Sequence, residues 1–523
     1  MTSSLIASSS DGLLPIPALR GYAQVGGNFI FGESGRRVYG QVPAGHDGAY
    51  VSVTRNALEQ AVVGTDDAGY GRLFLYQRGH RWALGTSLIE LAEYVNECRW
   101  PLAIDELQFR GFLLSPKGMI GSQLLSLDTI FREIRLLAPR EEAVVCSGAR
   151  TTISIRWREE ARPVDYQEAL QDALDEMVGR LTSILQAGVP LASDITGGRD
   201  SRTVLAGLKV ANESSVAIGD IVRFRSNPKL VDDWRVATAL DEKYGLRLNR
   251  NTSADSYFVD LDHGYRVWRA HDLGTYTPLY QFRSYTAEIT LSGAAGGVHR
   301  SVYREEFLRD RLGRLKTSYV SDADVSKLSR RIDETLDYVS GHPDRRLEHF
   351  RQFRNRFHGG RVPLRTHNVA PLASRRLKVA SGLMTDAHLD RAQFYADIML
   401  NLAPDLAKEP YDSASKGWGD EHYRDLTRVR VNPDRFQGAV YGEMEHPPRE
   451  ISPAKKPLEP FMEAFHAAAP GAIECGLLSS TYVARAREAL ESTEGRRFEH
   501  AIKGRGVSTV ILAGEAARLS TSF

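Results

Sequence analysis

The segment Leu191-Ala-Ser-Asp-Ile-Thr-Gly-Gly-Arg-Asp-Ser-Arg202 constrains this chain more than any other. An apolar run ends in Thr196-Gly197-Gly198, and a helix starting at Asp200-Ser201 carries Val204, Leu205 and Leu208 on its inner face. A strand, a glycine turn and a helix in that order gather backbone N–H groups and the positive helix end at one point, which is an anion site. Two adjacent glycines let the backbone approach a pyrophosphate, and Thr196 and Ser201 offer hydroxyl donors. Asp200 beside a phosphate implies Mg²⁺ between the two. The plain alternative is a Gly-Gly turn followed by an Asp/Ser helix cap. Chance produces [Ser/Thr]-Gly-Gly-x-Asp-Ser in roughly one protein of this length per thousand, which favours the anion site. No Gly-Lys-[Ser/Thr] follows, so this is not a Walker A loop.

The motif stands at the head of an alternating series. Before it, Tyr166, Leu170, Leu174, Met177, Leu181 and Leu185 predict an amphipathic helix that begins near Pro163 and is closed by Gly188. Four strand-like runs follow, Pro190–Thr196, Ser215–Phe224, Leu246–Asn251 and Glu288–Ser292, with a helix over Val231–Tyr244. Strands alternating with helices predict βαβ units in a parallel sheet. Upstream, the first 160 residues read as strands and turns, among them Asn28–Gly32, Gly69–Tyr76 and Arg81–Leu84. Glu142–Cys146 and Thr152–Arg156 form a hairpin across Ser147-Gly148, and one helix is expected at Ser87–Glu97. Tyr303–Ala407 is helical and charged, Tyr411 to about Pro460 is loop-rich, and Thr481–Leu519 is helical. At 523 residues more than one core is expected, with domains at 1–160 and 161–523.

Bulk composition narrows the partners. Sixty-seven basic residues stand against 66 acidic ones, so nothing global favours nucleic acid or an anionic membrane. Cys98, Cys146 and Cys475 are far apart with no CxxC, which fits buried thiols in a reducing compartment. No run approaches the roughly 18 apolar residues of a membrane helix. Met1–Ser10 is expected to be a frayed start without signal-peptide character, and the expected location is the cytoplasm.

With Thr196–Ser201 in view, the sequence resembles the asparagine synthetase B-type superfamily, whose PP-loop signature is Ser-Gly-Gly-x-Asp-Ser. The resemblance extends to Asp232-Asp233-Trp234 through Leu246, which is similar to the family's helix between its second and third strands. Leu291-Ser-Gly-Ala-Ala-Gly-Gly297 looks like its second glycine-rich loop. Gly64–Gly69, Leu73–Tyr76 and Gly85–Ser87 are similar to its glutaminase-like domain, with Leu127–Pro139 and the strand ending at Trp157 closing that domain. The resemblance implies an α/β architecture in two parts. An N-terminal Ntn-type αββα sandwich would precede a C-terminal doubly wound parallel-sheet ATP pyrophosphatase domain with helical additions.

The resemblance also implies ATP and Mg²⁺ as cofactors. Thr196, Gly197, Gly198, Arg199, Asp200, Ser201, Phe224, Ser292, Gly293 and Arg300 would contact nucleotide, and Asp200 would hold the metal. Two departures shape the expected chemistry. The second residue is Thr2 and no cysteine precedes Cys98, so the glutaminase nucleophile is missing and glutamine is not expected as nitrogen donor. β-Lactam synthetases and lasso-peptide cyclases within the family share that lack. The second loop reads Ala294-Ala295-Gly296-Gly297 where the family carries a metal-binding Asp or a Tyr, leaving Asp194 and Asp220 as replacement acids to consider.

The family's later Glu falls on His367, a base for an attacking amine or simply a polar residue. Lys416, Lys455 and Lys456 are the candidates for a lysine that stabilises charge in adenylation. His299 and Arg300 are placed for phosphate contact, and the basic run Arg345–Arg361 reads equally as a solvated face or an anion-facing one. The implied activity is an AMP-forming carbon–nitrogen ligase acting on a small-molecule or peptide carboxylate and an amine, without nucleic acid or membrane. A homodimer or a biosynthetic partner protein would accompany it. The alternative is a catalytically degenerate nucleotide-binding or scaffold subunit.

Overall fold

The computed structural model describes residues 6–10, 15–115, 120–148, 150–159, 165–212, 214–250, 256–279, 284–300, 302–303, 308–361, 368–443, 446–447, 449, 458–491 and 501–521. The chain is mixed α/β. The first part stacks two antiparallel layers. One sheet runs β1 (Ile6–Ser8), β7 (Arg81–Gly85), β6 (Phe74–Arg78) and β8 (Ile134–Leu136). The other runs β10 (Thr152–Trp157), β9 (Glu141–Cys146), β5 (Ala61–Thr65), β4 (Asp47–Arg55), β2 (Ala18–Val25), β3 (Asn28–Phe31) and β17 (Val440–Tyr441), the last of these joining β3 in parallel. Val51, Val53, Val63, Leu75, Trp82 and Leu84 fill the space between the layers, as period-two alternation requires. The β6–β7 hairpin pairs Arg78 with Arg81, and Gly79 supplies the positive φ (60°) its two-residue turn needs.

The second part is built on a sheet parallel in every pair, ordered β12 (Val222–Arg225), β11 (Leu191–Asp194), β15 (Ile289–Leu291) and β16 (Asn368–Val369). The helix Tyr166–Gln186 starts where Asp165 accepts the Glu168 N–H, and its apolar side reaches two layers at once. Leu170, Leu174 and Met177 join Phe29 and Phe31 of the first part and Leu205 and Leu208 of the second in one core. A two-stranded sheet, β13 (Ser256–Phe258) with β14 (Ser284–Thr286), pairs with no strand of the other sheets and packs Tyr285 into the largest core.

Several expectations are corrected. Ser215–Phe224 is not one strand: Ile218–Ile221 is a helical turn ahead of β12. Leu246–Arg250 carries no strand, and Asn251 lies outside the described residues. Asp241 accepts the N–H groups of Arg247 and Leu248, and Arg247 and Asn249 adopt positive φ, which turns the chain instead of extending it. The fourth parallel strand is β16, and Ile6–Ser8 is an edge strand rather than a frayed end. The interval before Thr481 holds a helix, Glu459–Glu474. Cys475 is exposed, while Cys98 and Cys146 are half-buried free thiols. Among the described residues no helix is long and apolar enough to cross a membrane.

Polar groups tie the two parts together. Arg180 on the long helix donates to Asp47 of β4 (2.6 Å) and to the Gly26 carbonyl (2.7 Å), with Glu176 at 3.0 Å. Asp47 also accepts the Arg375 N–H at 2.6 Å. Arg356 is fully buried and donates to the Gly69 and Leu137 carbonyls at 2.8 and 2.9 Å; burial lowers its pKa to about 9. The basic run Arg345–Arg361 is therefore neither a uniform solvated face nor an anion-facing one. Arg345 is exposed and pairs with Asp333 and Asp337, Arg351 holds the Val298 carbonyl, and Arg356 clamps the two parts.

Buried histidines set a pH dependence. Burial lowers His271 and His349 to about 4 and His299 and His358 to about 3. Each contributes stability present above the unfolded value near 6.5 and lost as pH falls toward its folded value. Asp66, which burial raises to about 7, acts oppositely: its contribution is present below the unfolded carboxyl value and lost as pH rises through 7. At pH 5 these five groups make unfolding take up about three protons, a slope of about 4 kcal/mol per pH unit. Urea unfolding free energies measured from pH 4.5 to 6 should rise with about that slope. A profile that falls with rising pH, as Asp66 alone would give, would show that the histidines titrate normally.

Candidate functional site

The site grows from the carboxyl end of β11. After Asp194 the chain turns through Ile195–Gly198 and enters the helix Arg199–Ala211, whose N-cap Gly198 offers no side-chain cap. Its first-turn N–H groups therefore have no capping side chain, the condition for an anion site. Thr196 and Ser201 shape the turn by pairing with each other, their hydroxyls 3.0 Å apart. The Thr196 N–H donates to Ser201 Oγ (3.2 Å) and the Gly198 N–H to Thr196 Oγ1 (3.2 Å). The Gly197 N–H donates to the Asp233 carboxylate at 2.7 Å, so one amide of the turn already holds an anion.

The second glycine loop closes over the helix start. A Cβ on Gly296 would lie 2.3 Å from Asp200 Cγ, and one on Gly293 would lie 2.8 Å from the Ser201 nitrogen. Glycine is required at both positions by close approach. Ala295, between them, holds a positive φ of 68°. Tyr395, fully buried, donates to the Gly296 carbonyl at 2.7 Å and fixes the loop from below. Burial and the neighbouring Asp200 charge push its pKa up, so the hydroxyl keeps its proton. Asp200 Oδ2 meets Arg300 at 3.3 Å, while Asp200 Oδ1 is buried without a hydrogen-bond partner. A buried, unpaired carboxylate oxygen calls for a cation.

A third segment, Glu409–Trp418, packs against the turn. Arg202 donates to the Glu409 and Pro410 carbonyls (both 2.7 Å) and lies 3.8 Å over the Tyr411 ring. Arg199 donates to the Lys416 carbonyl (2.9 Å) and stacks 4.4 Å from Trp418. Asp412 donates its N–H to the Gly197 carbonyl (3.1 Å) and pairs with Lys416 Nζ at 2.6 Å. Lys416 is thus brought beside the glycine turn.

The sequence-derived residues divide accordingly. Thr196, Gly197, Gly198, Asp200, Ser201, Gly293, Arg300 and Lys416 come together. Arg199 joins them by its backbone only, because its side chain anchors the Ser415–Trp418 loop. Phe224 is fully buried in the core, so its ring is a packing element instead of a nucleotide contact. Ser292 Oγ is committed to Asn368 Oδ1 at 2.9 Å. His299 is fully buried, with Nε2 donating to the Leu372 carbonyl (2.8 Å) and Nδ1 3.1 Å from Ser381, so it faces the core and not a phosphate. Asp194 is exposed and pairs with Arg225, and Asp220 pairs with Arg247; neither stands in for the missing loop acid. His367, Lys455 and Lys456 lie outside the described residues.

Asp233, Tyr395 and Asp412 were missed. Asp233 lay within a stretch already noted as helical, but Asp412 is more than 200 residues from the turn it packs against and carries no local signal. Among the described residues no three His, Cys, Asp or Glu side chains are grouped closely enough to hold a metal by themselves. No family model matches the chain, and no curated protein matches it.

Proposed function

We propose that this chain is an ATP-dependent, AMP-forming carbon–nitrogen ligase. The reading rests on Asp200, whose unpaired oxygen sits at an uncapped helix start beneath a glycine loop that no larger residue could form. The donor set fits Mg²⁺ held by Asp200, phosphate oxygens and water. Bound there, Mg²⁺ would neutralise phosphate charge. The N–H groups opening the Arg199–Ala211 helix bind the phosphate chain, and Arg300 adds a positive charge at its edge. A substrate carboxylate attacks the α-phosphorus and expels pyrophosphate. An amine then attacks the acyl carbon, loses a proton and releases AMP. Lys416, whose ammonium pairs with Asp412 beside the turn, would be the cation that meets charge developing on the phosphates. The test is pyrophosphate release with ATP and Mg²⁺ over a library of carboxylates and amines. Absence of both turnover and ATP binding would leave the scaffold reading.

That second reading draws on one observation: the Gly197 N–H is taken by Asp233. The two readings separate in Asp233→Ala. If the turn binds phosphate, removing a competing carboxylate should tighten ATP about tenfold by calorimetry, the worth of one charge-assisted hydrogen bond. Tenfold weakening would instead make Asp233 a ligand of the nucleotide-bound cation. No binding in either form would favour the scaffold.

A further inference from the structure

The helix Phe350–Gly359 is bonded i→i+5, a π-helical form that is rare and recurs at functional sites. Its basic side chains go in different directions. Arg351 reaches the Val298 carbonyl, and Arg356 reaches the Gly69 and Leu137 carbonyls. Arg354 and His358, four residues apart, turn together to Tyr276. That tyrosine is 2% exposed and held from both sides. Its N–H donates to the Asp272 carbonyl (2.8 Å), and the Thr277 N–H beside it donates to the Ser122 carbonyl (2.8 Å). The Tyr276 hydroxyl lies 2.7 Å from His358 Nδ1 and receives an Arg354 N–H at 3.4 Å, so the two basic groups stand within about 6 Å of each other. The Arg361 guanidinium lies 5.4 Å from the centre of the same ring.

These contacts fix what the pair can offer. Among the described residues the Tyr276 hydroxyl has no other acceptor, so it donates to His358 Nδ1 and the imidazole proton sits on Nε2. Burial, with the Arg354 and Arg361 charges, lowers the His358 pKa to about 3 and keeps the ring neutral. Among the described residues Arg354 bonds only to Tyr276, and His358 Nε2 bonds to nothing. Both side chains are half-buried, and their remaining N–H groups are not among the atoms sealed from solvent. The carboxylate that bears on His358, Asp272, is buried and committed to Arg72 (3.3 Å) and His271 (3.0 Å). What stays open is therefore all donor, with a positive charge. We infer that Arg354 and His358 form an oxyanion site, which takes one carboxylate or phosphate group of a small ligand between the guanidinium fork and the Nε2–H. Two charge-assisted bonds of about 2.8 Å, with the spacing of two oxygens on one group, bridge donors about 7 Å apart, which suits this pair. An ammonium is repelled, and a neutral carbonyl leaves the guanidinium charge unmet. The site shares no residue with the glycine turn and does not depend on the ligase reading.

The experiment measures binding on the full chain at low salt, without ATP or Mg²⁺. The probes are phenyl phosphate, benzoate and benzyl alcohol, followed by ¹⁵N NMR of the imidazoles with His358 assigned from the His358→Gln spectrum. Reading affinity from the His358 Nε2 resonance separates this site from any anion held at the start of the Arg199–Ala211 helix. Phenyl phosphate or benzoate is expected to bind near ~1 mM or better, and benzyl alcohol to leave the resonance in place. The tighter of the two anions tells whether the ligand carries phosphate or carboxylate. Arg354→Gln should weaken that anion at least about tenfold at unchanged thermal stability. Arg354→Lys, which keeps the charge without the fork, should recover only part of the loss. Arg428→Gln, at an exposed position elsewhere, should bind as the wild type does. No shift with either anion up to about 20 mM, undiminished binding to Arg354→Gln, an equal loss in Arg428→Gln, or a proton found on His358 Nδ1 would each overturn the assignment.

Discussion

Asp200→Ala is expected to lower Mg²⁺-dependent pyrophosphate release by about 10²–10³-fold, the range seen when one preorganised electrostatic partner of a transition state is removed. The Asp200 side chain is enclosed by Gly293, Gly296 and Arg300, and its Oδ1 has no protein partner to lose. Stability should therefore change little, while the Mg²⁺ dependence of ATP binding disappears. Calorimetric titration with ATP, with and without Mg²⁺, separates the two effects. Wild-type protein should prefer the Mg²⁺ complex, and the variant should bind both forms alike. Unchanged Mg²⁺ preference in the variant would remove Asp200 from the metal site, whatever the effect on turnover.

Arg180→Met carries the largest expected cost in stability, about 3–5 kcal/mol, because it strands the buried Asp47 carboxylate and leaves the buried Glu176 with Arg376 as its one remaining cation. Asp47 and Glu176 are 4% and 6% exposed at the side chain, and Arg180 neutralises both. Asp47 stands on the first part of the chain and Arg180 on the second, so the loss falls at their junction. Urea unfolding should show the lower midpoint, and adding Asp47→Asn should recover part of it by removing one stranded charge. A cost below about 1 kcal/mol would place the pair in effective contact with solvent.

Much of the architecture was legible locally. The 3.6-residue period marked the helices Tyr166–Gln186 and Val231–Tyr244, because one buried face of a helix writes itself into the sequence. Gly-Gly after an apolar run marked the turn at Thr196–Gly198, where Asp412 packs so close to Gly197 that a Cβ there would meet it at 2.4 Å. The failures fall where a short segment answers to distant partners. Leu246–Arg250 has the composition of a strand end but turns, because Asp241 takes the amides of Arg247 and Leu248. β17 adds Val440–Tyr441 to a sheet formed about 400 residues earlier in the chain, and two residues carry no pattern of their own.

The candidate site divides in the same way. Residue types within a few positions of one another were enough to specify the glycine turn, the acid at Asp200 and the second glycine loop. What surrounds them was set by the packing of distant segments. That packing turned His299 into the core, spent the Arg199 side chain on the Ser415–Trp418 loop, set Asp233 on the Gly197 amide and carried Lys416 to the turn. Local patterning records backbone conformation and the burial of a face. The aim of a long side chain is fixed by which carbonyls and carboxylates the packed chain leaves without partners, and those come from segments far away in sequence.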